Sequence, residues 1–280
     1  MNYKPLFPVI CLTGLCFLIT QMPANAEPNS EVLWSKHDPK SSMLLDPKPW
    51  QTFLKKYIDT TALDKMNRLR YGNVGPQDRK SLTDYLNSLQ AVKVSGLNRK
   101  EQMAYWINLY NAKTVSVILD KYPIVSIRDI QLSSNPEELG PWDVKLLTVE
   151  NRKLSLNDIE HRILRSIWKD NRVHFALNCA SKGCPNLSSS AYTSKNLEAQ
   201  LERGARDFIN SPRGAKLESD TLFLSSIFDW YGADFGTGKQ AILDFLIRYA
   251  EPTLKSGLKN FPPKIKYQYD WNLNEAKFGR

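Results

Sequence analysis

Sulfur and imidazole are scarce in this chain, which holds four cysteines and three histidines in 280 residues. The phosphate loop G-x4-G-K-[ST], the G-x-G-x-x-G turn, the G-x-S-x-G elbow and H-E-x-x-H are all missing. Without them there are no sequence grounds for a nucleotide-dependent enzyme, an elbow-type serine hydrolase or a zincin, and no cofactor is expected. Zinc-finger, RNA-binding and helix-turn-helix patterns are absent too, so a nucleic-acid partner is not expected. Repeats, low-complexity tracts and composition breaks are also lacking, and one domain is the simplest organisation. Basic residues exceed acidic ones, for a formal net charge of +9, but they form no block. Spread in this way, the excess favours weak affinity for an anionic envelope ligand or peptide.

The long apolar run sits at the N-terminus. Lys4 precedes an apolar stretch over 6–20, and Gln21-Met-Pro-Ala-Asn-Ala26 ends in an A-x-A cleavage pattern. This reads as a signal peptide over 1–26, cleaved after Ala26, and so as an exported protein, periplasmic or secreted. Leu15 before Cys16 disfavours a lipoprotein, and no later segment reads as a transmembrane span. Loss of the leader removes Lys4, Cys11 and Cys16. Cys179 and Cys184 are then the whole thiol complement, and the net charge falls by one.

Residues 27–45 read as an exposed lead-in, 46–275 as the domain and 276–280 as a tail. The W-x-x-F-L-x-x-Y-I spacing over 49–57 predicts an amphipathic helix, and Leu82, Tyr85, Leu86 and Leu89 predict another over 79–89. Asn98 caps a long helix with Glu101 as its capping-box partner; apolar almost all round, it should be central and end before Pro123. Beyond it, 143–149 reads as a strand and 155–168 as a helix capped by Ser155 toward Asp158. "VHFAL" (173–177) and "TLFLS" (221–225) read as strands. Helices are expected over 194–210 and 239–250, a short helical or loop segment at "FDWYGADFG", and a closing strand from 264. The pattern predicts an α+β fold, with helices packed around a small, mainly antiparallel sheet.

The segments "EQMAYWINLYNAKTV", "SLNDIEHRILR", "VHFALNCASKGCP", "SSIFDWYGADFG" and "YDWNLN" occur here in order. Together they resemble the domain-of-unknown-function 547 family, which includes exported bacterial proteins and plant proteins with added coiled-coil segments. The resemblance covers about residues 46–275 and implies family membership, but no substrate.

Three readings fit the thiols. Oxidised, Cys179 and Cys184 would close a small loop as a disulfide. With His174 and His161 they would offer soft metal ligands, although H-x4-C-x4-C is not a standard zinc spacing. As a nucleophile, Cys179 would need a base. His174 is five residues away, and on a straight strand it would face the opposite side. His161, beside Glu160, could reach Cys179 only through tertiary folding. Asn108 and Asn111 share a helix face and either buttress a neighbouring loop or orient an imidazole, as in papain-like Cys-His-Asn sites. A papain-like or transglutaminase-like arrangement would suit such a site. The Ser181 to Gly183 turn would supply oxyanion donors. Trp106, Tyr110, Trp230, Tyr231 and Asp234 are the expected pocket residues, though Asp229 and Asp234 do not form a compact pair. The resulting expectation is a thiol-dependent hydrolase or acyl transferase on an amide or thioester. The alternative is a non-enzymatic envelope binding or scaffold domain held by a Cys179–Cys184 disulfide.

Overall fold

The computed structural model describes residues 33–137, 139–259 and 264–276. The leader, the first part of the lead-in (27–32) and most of the tail lie outside the described residues. The first helix, α1 (Lys48–Tyr57), buries Trp50, Phe53, Leu54 and Tyr57, as its spacing predicts. Next comes α2 (Pro76–Gln90), which opens on a proline; a fixed φ and a missing N–H suit a first helical turn. The predicted central helix is α3 (Arg99–Lys121), buried over most of its circumference.

Asn98 caps α3 by accepting from the Glu101 backbone N–H at 3.0 Å. The Glu101 side chain does not complete a capping box. Its carboxylate accepts from the backbone N–H groups of Leu45 and Ser194 instead, tying two distant segments to the helix start. Residues 33–45 are mostly exposed, with one exception. Trp34 is buried edge-on against Trp106, with ring centroids 5.1 Å apart, because an indole of that apolar area gains more in the core than in water.

Short antiparallel pairs punctuate the helices: β1 (Ile58–Asp59) with β2 (Arg68–Leu69), and β3 (Leu147–Val149) with β4 (Arg152–Leu154). The β3–β4 turn falls at Glu150-Asn151, both with positive φ, as a tight hairpin requires. The strand predicted over 143–149 is therefore only its last three residues. Asp143 and Lys145 are drawn instead to Asn157 and Asp158 at the start of the next helix. That helix, α4, winds as a π-helix over Asp158–Arg165 and continues as an α-turn over Ser166–Trp168. The predicted Ser155–Asp158 cap is present in both directions.

The clearest departure is "VHFAL", which is not a strand. Asn171–Phe175 forms a 3-10 helix capped by Asp170, whose carboxylate accepts from the Arg172 backbone N–H. A short apolar run carries no period that separates a strand from a helical turn, and here the Asp170–Arg172 cap decides. After it come α5 (Leu197–Ile209), β5 (Ala215–Glu218), β6 (Thr221–Ser225), α6 (Ile227–Trp230), α7 (Gly232–Phe235), α8 (Gly238–Tyr249), α9 (Pro252–Lys259) and β7 (Lys264–Gln268). In the three-stranded sheet β5 runs antiparallel to β6, and β7 parallel to it. The fold is a single α+β domain.

Two apolar clusters fill it. The larger surrounds α1, α2 and α3. The smaller is built on Phe175, Phe208, Phe228, Phe235 and Phe245. Residues 173–177 straddle the two, with Val173, Ala176 and Leu177 in the first and Phe175 in the second.

Candidate active site

A cavity of about 400 Å³ opens at this seam. Tyr110 comes from α3, Glu160 and His161 from α4, and His174 from the 3-10 turn. Cys179 and Cys184 lie on the loop that follows, and Trp230, Tyr231, Tyr269 and Trp271 close the opposite wall. Trp230, Tyr269 and Trp271 pack ring on ring, and Trp230 remains 47% exposed at the rim. Residues far apart in sequence thus meet around one space, including both histidines expected to carry chemistry. The strand-parity objection to His174 falls away, because its segment is not a strand.

The two imidazoles are held differently. Arg165 Nη1 donates to His161 Nδ1 at 2.9 Å, one helical turn along α4. A guanidinium has no acceptor, so Nδ1 must be the unprotonated nitrogen and the ring hydrogen sits on Nε2. Burial pushes the His161 pKa down; Glu160 pulls the other way, and Arg165 reinforces burial. His161 is therefore a neutral ring with an N–H to give. His174 Nε2 instead meets Asp234 Oδ2 at 2.7 Å. Asp234 is also gripped by Arg165 in a two-point contact at 2.6 and 2.9 Å. His174 first, and Arg165 after it, hold the Asp234 carboxyl below the usual carboxylate range against an opposing burial effect. A carboxylate this acidic accepts, so His174 Nε2 carries the hydrogen and Nδ1 is the nitrogen left for other partners. The ring stacks on Tyr231, with centroids 4.4 Å apart, and Phe235 fixes its far side.

Both cysteines are free thiols, so the predicted disulfide is not what this structure carries. Cys184 is buried, and its Sγ accepts from the Cys179 backbone N–H at 3.0 Å. Cys179 Sγ shares hydrogen bonds with the Ser181 hydroxyl at 3.1 Å and the Tyr269 hydroxyl at 3.0 Å, and the Ser181 hydroxyl also reaches that of Tyr269 at 3.0 Å. The pair titrates unevenly. The neighbouring Cys184 thiol first, and then Ser181 and Tyr269, outweigh burial and draw the Cys179 pKa down, while burial and the neighbouring sulfur push Cys184 up. Hydrogen bonds to a thiolate favour it over the thiol.

The loop is rigid. Lys182 and Gly183 N–H groups donate to the carbonyls of Asn272 and Asp270, and Asn274 N–H donates to Ala180 O. Gly183 is required there, because a Cβ would lie 2.7 Å from the Asp270 nitrogen and 2.9 Å from the Tyr269 ring. These bonds overturn one expectation: the Lys182 and Gly183 amides are already spent and cannot serve an oxyanion.

Asn108 and Asn111 do not orient an imidazole. Asn108 exchanges hydrogen bonds with the Tyr192 backbone, and Asn111 with Ala176 O and Asn178 N–H. They buttress the loops beneath the cavity, and with both ends engaged they have nothing left for a ring. Trp106 is core rather than pocket wall; its indole N–H is the one buried side-chain polar atom without a partner among the described residues. Asp234 lies behind His174 instead of on the cavity wall. Tyr110 and Glu160 are joined by a 3.1 Å hydrogen bond. Among the described residues no group of three or more His, Cys, Asp or Glu side chains is arranged to hold a metal ion. Arg165 and Tyr269 are not singled out by the sequence, and Ser181 is expected there only for its turn amide, not for its hydroxyl beside the sulfur. Arg165 had a local signal, standing four residues after His161 on a predicted helix; Tyr269 had none.

Residues 94–209 match the family model described as "Protein of unknown function, DUF547". No curated protein and no solved structure matches the chain.

Proposed function

We propose that this chain, which belongs to the DUF547 family, is a thiol-dependent hydrolase or acyl transferase acting on an amide or thioester. The observation that carries the reading is one cavity holding a thiol of depressed pKa, a neutral imidazole with an N–H to give, and a carboxylate-anchored imidazole. The hydrogen bonds of Cys179 do not include an imidazole, and the chemistry does not require one in the resting protein. Ser181, Tyr269 and Cys184 already favour the thiolate, so no base is needed to make the nucleophile.

Cys179 attacks the acyl carbon, and the oxygen that gains charge accepts from His161 Nε2–H in place of the spent loop amides. The carbon–sulfur bond then breaks, the thiolate departs and acyl-Cys179 remains; an amide would need a proton from solvent on its nitrogen as the carbon–nitrogen bond breaks. His174 Nδ1 takes a proton from water or an acceptor nucleophile, which attacks the acyl carbon and expels the Cys179 thiolate. The proton on His174 passes to the departing group or to solvent, with Asp234 and Arg165 holding the ring. A thioester suits the first half best, because a thiolate leaves without an acid. The aromatic rim favours substrates with an apolar or planar portion. Export is part of the same proposal and rests on the N-terminal sequence.

Incubation with a simple acyl thioester, followed by intact mass measurement, tests this. Wild-type protein should turn over through a transient adduct on Cys179, and Cys179→Ala should form none. His174→Gln should trap the adduct, slowing its release by roughly 10²–10⁴-fold. Absence of any adduct from wild-type protein would sink the enzyme reading and favour the envelope binding alternative.

A further inference from the structure

Two thiols beside each other in a cavity can do something an acyl-transfer site does not need. Cys184 contributes no contact to the proposed acyl chemistry beyond lending a proton, yet its sulfur is 3.0 Å from the backbone nitrogen of Cys179. The Cys179 sulfur hangs from that same residue, so the two sulfurs are near neighbours. The loop between them is anchored on two sides. Arg213 donates to the carbonyls of Lys182 and Cys184, and the 270–274 segment holds the other side. Both cysteines line the cavity, Cys179 partly exposed and Cys184 buried. This is the division of labour that thiol–disulfide exchange needs: an accessible attacker and a protected resolver.

We propose that Cys179 and Cys184 are a reversible dithiol couple that exchanges electrons with a low-molecular-weight disulfide admitted to the cavity. The Cys179 thiolate attacks one sulfur of the disulfide R–S–S–R, forming Cys179–S–S–R and releasing R–S⁻. That thiolate takes the Cys184 proton and leaves as R–SH. Cys184 then attacks the Cys179 sulfur, forming the intramolecular bridge and releasing a second R–S⁻. Two electrons pass from the cysteine pair to the small disulfide, and excess R–SH drives the steps in reverse. The unequal acidity of the pair fits these roles, since the attacker is the better thiolate and the resolver stays protonated until it is needed. The couple stands without the acyl chemistry but bears on it, because the bridge consumes the proposed nucleophile.

The test uses the full chain with glutathione disulfide as the probe, read by intact mass and by peptide mapping without reduction. Wild-type protein should pass through a mixed disulfide on Cys179 to a Cys179–Cys184 bridge, and excess reduced glutathione should reopen it. Cys184→Ser keeps an acceptor for the Cys179 N–H and should stall at the mixed disulfide; Cys184→Ala, with circular dichroism as a folding control, should stall likewise. Cys179→Ser should take up no glutathione. A wild-type chain that stops at the mixed disulfide, or remains two free thiols, overturns the couple. Treating the wild-type chain with the thioester and with glutathione disulfide in parallel separates the two proposals. If Cys179 acylates but never bridges, only the couple fails; if it bridges but never acylates, only the acyl-transfer reading fails.

Discussion

Each charge near the cavity is assigned by its neighbour. Arg165 contacts both imidazole systems: it occupies His161 Nδ1 directly and reaches His174 through Asp234. One guanidinium thus sets His161 as donor and keeps Asp234 ionised behind His174. The folded pKa of Asp234 lies below its unfolded value, so its contribution to stability is complete above the ordinary carboxylate value of about 3.9 and is lost as pH falls through the folded one. Asp234→Asn should therefore flatten the decline of stability with acid below about pH 4, as a series of urea midpoints would show. At Cys179 the analogous experiment is kinetic. Tyr269→Phe removes one hydroxyl donor from the sulfur, so the pH midpoint for iodoacetamide alkylation should move upward. An unchanged midpoint would mean that Cys184 and Ser181 set the thiol acidity alone.

Elements were legible where period and caps agreed. The central helix showed itself through its length, its Asn98 cap and its apolar circumference, and the Ser155–Asp158 pair announced the start of α4. The 173–177 segment was misread because five apolar-rich residues have no period of their own, and the deciding contact, Asp170 to Arg172, lies just outside the run. The candidate site was legible in its residue types but not in its pairings. Cys179, His161, His174 and Glu160 could be named, whereas Asp234 as the partner of His174 is 60 residues away and no spacing rule reaches it. Asn111 shows the same limit: its chemistry suggested an imidazole, but burial among backbone groups gave it a loop to hold. Asn111→Ala would leave the Ala176 carbonyl and the Asn178 N–H unpaired in the core. A loss of on the order of 1–3 kcal/mol is expected from a denaturant midpoint, with Cys179 reactivity changing alongside it.

The seam between the two apolar clusters explains why the site lies where it does, and why residues 94–209 do not complete it. That segment supplies both thiols, both imidazoles and Glu160, while Asp234, Tyr231, Tyr269 and the aromatic rim come from the chain that follows. The last described stretch acts as a strap. β7 joins the sheet beside β6, Tyr269 reaches Cys179, and Leu273 bridges to Ser181. Asn274 bonds to the Tyr71 hydroxyl and to Asn178, and its carbonyl accepts from Leu69 N–H. The strap thus connects the smaller cluster, the thiol loop and the start of the larger cluster in about a dozen residues. Ending the chain at Lys259 should cost more than a surface tail would. It removes a hydroxyl donor from Cys179 and two carbonyl acceptors from the 182–183 amides, and it leaves one edge of β6 unpaired. The truncated protein should unfold at a lower denaturant concentration. Where it remains folded, its alkylation midpoint should rise at least as far as that of Tyr269→Phe, since it loses the same hydroxyl and the loop anchors as well. A truncated chain with the wild-type alkylation profile would show that the thiol loop holds its own geometry, and that the strap only covers it.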